Sequence, residues 1–301
     1  MNPQLGVASK EKIEALRELT DTEYEEYEKA RTRLIRFASD QHLFMIVRLN
    51  YDEYESLLKR YFEEYTKDPR MFWSRIEGMV LNINRHIMNY LSAVRTFLDH
   101  SETNLKRRYG PNSQRVRRFR YACSSAYDNH FSYRFVSELR NYVQHCGMPL
   151  GELTLHSVEV DPHTKEVHHS LAVKFNRDEL LSDFRWKSRL TKEIRKLPLR
   201  FEITPHLAQM MKCLERINLT LFEDDLPELV QSAEYVQKLI SSTKNMSGAP
   251  CILRIKDVAR TQEGKVKQLK MDIEWIPLHL VDFVMNVRAR TLKKELIPED
   301  F

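Results

Sequence analysis

The spacing of apolar residues changes character near Pro149, and that change restricts the chain to folds that mix helices with antiparallel strands. Before it, Ile76, Val80, Ile83, Ile87, Leu91, Val94 and Leu98 recur every three or four residues. This lines one face of a helix running to about residue 99. After it, ELTLHSVEV and VHHSLAVKF alternate with period two around Asp161-Pro162-His163-Thr164, the pattern of a β-hairpin. Leu269, Met271, Ile273 and Trp275 alternate again opposite CILRIKDV, across a turn holding Gly264. Two helices are expected between the hairpins, over about 205–222 and 225–242, opened by Thr204-Pro205 and Asp224-Asp225. A last amphipathic helix is expected over about 278–296. The fold class is α+β, mainly α, with the break near residue 150.

The first part of the chain reads as helices. Thr20 and Glu23 have the spacing of a capping box ahead of a highly charged helix, and Asn50 and Glu53 repeat it ahead of a second. The intervening HLFMIVRL is apolar and fits either a short strand or a buried turn. A further helix is expected after the Gly110-Pro111-Asn112-Ser113 turn, followed by one over about 132–146. The expected division is 1–69 (charged helices), 70–150 (a helical domain) and 151–301 (an α+β region of unassigned role).

The helix over 132–146 carries the residues of greatest chemical interest. Phe135, Val136, Leu139, Tyr142, Val143 and Cys146 form one broad apolar stripe that should pack inward. Arg140, Asn141, Gln144 and His145 fall on the other side. Asn141 and His145 are four apart and can touch, and the long arginine stem brings Arg140 to the same face. Gly147 supplies a left-handed cap and Pro149 prevents continuation, so His145 lies in the last turn, where the negative end of the helix dipole favours imidazolium. A histidine so placed suits general acid–base work, and a guanidinium suits a phosphate. The same residues are also those that helix C-termini favour for capping alone.

Arg140, Asn141 and His145 match the Arg-x(4–6)-His motif, with a polar residue directly after the arginine, of the HEPN superfamily. This region resembles that superfamily over about residues 70–150. NRHIMNYLSAVRTFLDH looks like the long first helix of such a domain, and YRFVSELRNYVQH like its motif-bearing helix. The resemblance implies a HEPN-like antiparallel helical bundle and a metal-independent endoribonuclease needing no cofactor, generally a homodimer with a composite active site. It implies that His145 acts as general acid or base, that Arg140 holds the phosphate and that Asn141 orients the pair. The RNA 2′-hydroxyl would attack the adjacent phosphorus, leaving a 2′,3′-cyclic phosphate and a 5′-hydroxyl. A toxin or antiviral effector role, with an antitoxin or other regulatory partner, follows from the same analogy. Some toxin members extend the motif to Arg-x4-His-x-Tyr, where the tyrosine is modified. This chain has Gly147 at that place, which departs from the pattern.

An RNA-holding surface is expected just upstream. From Thr103 to Tyr127 no acidic residue occurs, while Lys106, Arg107, Arg108, Arg115, Arg117, Arg118 and Arg120 interleave with Tyr109, Phe119 and Tyr121. Cations attract the phosphate chain and aromatics stack on bases. A solvated basic face, or pairing with the acidic 11–28 segment, explains the same run.

Composition narrows the remaining classes. Seven glycines and 11 prolines in 301 residues argue against low complexity. Cys123, Cys146, Cys213 and Cys251 lie far apart, so no zinc spacing exists and a reduced, cytoplasmic protein is expected. No apolar run approaches the ~20 residues of a membrane span, and the first residues do not read as a secretory signal. The net charge of +5 permits a nucleic-acid partner. A non-catalytic nucleic-acid-binding or scaffolding protein is the alternative to the enzyme, and a nucleotide sensor is a third reading.

Overall fold

The computed structural model describes residues 2–68, 70, 74–147, 150–161, 166–244, 246–260 and 266–292. These are mainly helical, with two small antiparallel sheets. In chain order the elements are β1 (Gln4–Ala8), β2 (Ile13–Glu18), α1 (Asp21–Lys67), α2 (Ile76–Tyr109), α3 (Gln114–Asn129) and α4 (Phe131–His145). There follow β3 (Leu150–Asp161), β4 (Glu166–Asn176), α5 (Arg177–Asp183), α6 (Ser188–Ile194), β5 (Arg200–Glu202) and α7 (Thr204–Leu219). The chain ends with α8 (Leu226–Leu239), a 3-10 turn, β6 (Ala249–Arg260), β7 (Val266–Trp275) and α9 (Leu278–Leu292). Both expected hairpins form; the turns that join their strands, and the end of the last expected helix, lie outside the described residues.

Two compact units emerge, and they cut the chain differently from the three expected segments. One joins Met1–Gln41 to Phe222–Asp300, and the other is His42–Leu221. In the first unit the sheet order is β2-β1-β6-β7. The N-terminal hairpin corrects the helical expectation for residues 4–18. β1 is paired on both edges, with β2 and with β6, and its Leu5, Val7 and Ala8 are buried. A Cβ on Gly6 would lie 2.6 Å from the Glu14 carbonyl oxygen and 2.8 Å from Leu253 Cδ1, so this strand closes only on a glycine. The Thr20–Glu23 capping box forms: the Thr20 amide donates to Glu23 Oε2 at 2.9 Å and the Glu23 amide to Thr20 Oγ1 at 3.2 Å.

The second expected cap does not form. Asn50 sits inside the 47-residue α1, donating its side chain to the Ile46 carbonyl at 2.8 Å. HLFMIVRL is one stretch of that helix, neither strand nor turn. With no glycine or proline between Gly6 and Pro69, nothing in the chain interrupts it.

The second unit packs its helices around one apolar core. Val47 and Tyr54 from α1 meet Ile83, Ile87 and Phe97 from α2, with Val116 from α3, Phe135, Val136 and Leu139 from α4, and Leu207, Met210 and Leu214 from α7. Each is almost fully buried, a gain of roughly 1.5–3 kcal/mol per large aliphatic or aromatic side chain. The α2 stripe is as expected at Ile83, Ile87, Leu91 and Val94, but Met79 rather than Val80 is buried, and the helix runs on to Tyr109. The three-stranded sheet β3-β4-β5 turns Leu171, Val173 and Phe175 into the same core. Three short elements, α5, α6 and β5, went unanticipated. Trp275, expected in the core, ends the edge strand β7 and is 54% exposed.

Candidate functional site

The residues of interest sit on α4, whose position is set by its aromatic side. Phe135 meets Trp186 and Phe201 at ring separations of 5.7 Å, and Tyr142 stacks on Trp186 at 5.8 Å with an interplanar angle of 14°. Val136 and Leu139 fill the same face. Anchored there, the helix turns Gln144 and His145 outward to solvent and leaves Arg140 and Asn141 partly buried.

The helix ends where the sequence indicates. His145 is its last residue, the Cys146 amide closes the final turn on the Tyr142 carbonyl at 2.8 Å, and Gly147 has φ +121°. Periodicity fails one position beyond that end. Cys146, expected in the buried stripe, is exposed, with its thiol donating to the Asp183 carbonyl at 3.1 Å. The stripe follows the helix, and the chain has already left it.

No hydrogen bond or ion pair among the described residues joins Arg140, Asn141 and His145 to one another. Asn141 Nδ2 donates instead to Glu138 Oε2 at 3.2 Å. Glu138 also pairs with Lys187, whose ammonium lies 5.5 Å from the centre of the Tyr127 ring. Arg140 Nε is buried with no hydrogen-bond partner, a donor in surplus on the site helix.

The basic window spans the end of α2, the Gly110 turn and the start of α3. It is less free than its composition implies. Glu102, one residue before the acid-free run, accepts from both Lys106 and Arg120 at 2.8 Å, and those two contacts hold its carboxyl below the usual range. Arg115 donates to the Tyr109 hydroxyl at 2.8 Å and lies over the same ring, as does Arg108. Arg117 reaches the Asn112 carbonyl at 2.6 Å. Arg107 is exposed, Arg118 is partly buried, and Tyr121 is 73% exposed beside them.

Sequence reasoning missed Arg134, which stands inside the buried face of α4. Its side chain is 4% exposed and forks onto Glu193, with Nη2–Oε1 at 2.6 Å and Nε–Oε2 at 3.1 Å. Nη1 donates to the carbonyls of Tyr127 and Asp128, fastening the end of α3. A partly buried His206 shares a hydrogen bond of 2.9 Å with Ser132 Oγ, and desolvation pushes its pKa down. The only signal for Arg134 was a charged residue interrupting an apolar face.

Among the described residues no group of three or more His, Cys, Asp or Glu side chains is placed to hold a metal ion. Nor is any described helix long and apolar enough to cross a membrane. Comparison of the chain with family models, with curated proteins and with solved structures gave no match in any of the three.

Proposed function

We propose that the protein is a metal-independent endoribonuclease with a HEPN-like bundle formed around α2, α3 and α4. The observation that carries this reading is the Arg140-Asn141-x3-His145 set on one anchored helix, with Arg140 Nε lacking a partner and His145 exposed at the helix end. A guanidinium donor without a partner and an exposed imidazole five residues further along the same helix are the equipment for a phosphodiester.

In the reaction a base removes the proton of the RNA 2′-hydroxyl, and the freed oxygen bonds to the adjacent phosphorus. The bond from phosphorus to the 5′-oxygen then breaks, and that oxygen takes a proton. The products are a 2′,3′-cyclic phosphate and a 5′-hydroxyl end. Arg140 holds the phosphate and offsets the charge that builds on its oxygens. His145 provides one of the two proton transfers. A second His145, from another copy of the chain, provides the other, which makes the working form a homodimer. Asn141, released from Glu138, orients the pair. Arg107, Arg117 and Arg118, with Lys106, Arg108, Arg115 and Arg120, draw the RNA backbone. A cytoplasmic toxin or antiviral effector, held in check by a regulatory partner, is the setting that the family resemblance supports.

The test is RNA incubated in EDTA with wild-type protein and with His145→Ala. Wild type should cleave and leave cyclic-phosphate ends, and the variant should lose about 100-fold or more in rate. A second reading, a non-catalytic RNA-binding protein, is favoured by the hold of Glu138 on Asn141. Equal RNA binding by both proteins with cleavage by neither would establish it. An active monomer in light scattering would remove the composite site.

A further inference from the structure

A second site lies away from the motif helix, between α1 and α2. An open cleft of about 560 Å³ is lined by Asp52, Glu53 and Arg60 of α1 and by Arg85 and His86 of α2, over the apolar Leu57. That size is within the usual range for small-ligand pockets, roughly 300–1,000 Å³. On α1 Asp52 and Glu53 stand about two turns before Arg60, so each shares a face with it.

His86 is 7% exposed. Its Nε2 lies 2.8 Å from Arg85 Nη2. A guanidinium can only donate, so Nε2 is the acceptor and the ring hydrogen resides on Nδ1. Burial, and next the Arg85 charge, lower the His86 pKa against the opposing pull of Glu53, in keeping with that neutral ring. Nδ1 is buried and has no hydrogen-bond partner. The nearest carboxylate oxygen, Glu53 Oε2, stands at 3.9 Å, too far for a hydrogen bond. The cleft therefore contains a buried donor that needs an acceptor.

The four charges around it leave one another unpaired. Among the described residues neither Asp52 nor Glu53 forms an ion pair with Arg60 or Arg85. Arg85 directs Nε and Nη2 at Asn82 Oδ1, at 3.0 and 2.8 Å, and Arg60 lies 5.7 Å from the centre of the Tyr61 ring. An anion entering this cleft gains three donors but meets two carboxylates. A cation meets the reverse. A molecule carrying both charges close together satisfies both sides.

The geometry points to a binding site for a free L-amino acid, its carboxylate on His86 Nδ1–H and the Arg60 and Arg85 guanidiniums, its ammonium toward Asp52 and Glu53. This site is independent of the Arg140–His145 chemistry. Isothermal titration of the full chain with each of the twenty L-amino acids should find saturable binding by at least one. Its N-acetyl and amide derivatives should bind at least tenfold more weakly. Glu53→Gln and Arg60→Gln, at exposed positions, should each weaken binding at least tenfold while leaving Tm unchanged. Absence of saturable binding by any amino acid would overturn the assignment. So would N-acetyl derivatives that bind as well as the parent, or Glu53 and Arg60 variants that bind like wild type.

Discussion

Glu193→Ala tests whether α4 is held by a buried charge pair. The substitution leaves the Arg134 guanidinium, 4% exposed, without its carboxylate. Breaking a buried ion pair costs about 3–5 kcal/mol. Glu193 is itself 23% exposed, so water reaches the orphaned charge in part and the lower end, about 3 kcal/mol, is expected. For a unit the size of 42–221, each kcal/mol moves Tm by roughly 2–4 °C, which gives a fall of about 6–12 °C. Arg134→Met should cost as much, because it also frees the Tyr127 and Asp128 carbonyls at the end of α3. The double variant Arg134→Met/Glu193→Ala should be less destabilised than the sum of the singles, since no charge is left uncompensated. Circular dichroism melts of the four proteins measure this. Acid adds a second readout. Burial raises the Glu193 carboxyl, but hydrogen bonding and charge from Arg134, with Arg189, outweigh it and leave the pKa lowered. Its contribution is thus complete above the unfolded value of about 4.5 and is lost as pH falls through the folded pKa. If Glu193→Ala melts within 2 °C of wild type at neutral pH, the pair does not hold the helix.

Two further outcomes follow from the structure. Glu102→Gln removes the carboxylate shared by Lys106 and Arg120, and should tighten RNA binding about threefold at low salt, with the gain vanishing near 0.5 M; fluorescence anisotropy giving equal or weaker affinity would count against an RNA role for this window. Glu23 is held at about pKa 2, chiefly by the Arg17 side chain and then by the Thr20 amide, so its stabilisation is full above about 4.5 and fades as pH falls toward 2. Glu23→Gln should therefore flatten the acid limb of the stability profile measured by urea denaturation at pH 3 and pH 7.

Local signals carried the sequence reading as far as they are local. Thr20 and Glu23 announce a helix start because both halves of the cap lie within four residues. Asn50 and Glu53 present the same spacing, yet an uninterrupted helix already occupies those residues, and Asn50 turns its amide back on Ile46. What separates the two is the absence of any break before Asn50. β1 was illegible for another reason: Leu5, Gly6, Val7 and Ala8 are all buried, a strand covered on both faces needs no alternation, and its partner β6 lies more than 240 residues further along the chain. On α4 the outward turn of Gln144 and His145 could be read from the apolar stripe, and Glu138 stands three residues before Asn141 on the same helix. The use of Arg134 and the pairing of Glu138 with Lys187 could not, because Glu193 and Lys187 are brought near only by tertiary folding. The cleft at His86 was equally hidden, because its two halves come from helices read separately.

The position of β1 in its sheet also fixes an order of events at the ribosome. Its outer edge can pair with β2 as soon as residue 18 has emerged, whereas its inner edge waits for residues 249–253. Every residue of the His42–Leu221 unit leaves the exit tunnel in that interval. The nascent chain thus carries an apolar, half-paired strand throughout the folding of its central unit, and closing that loop is the slow, non-local step.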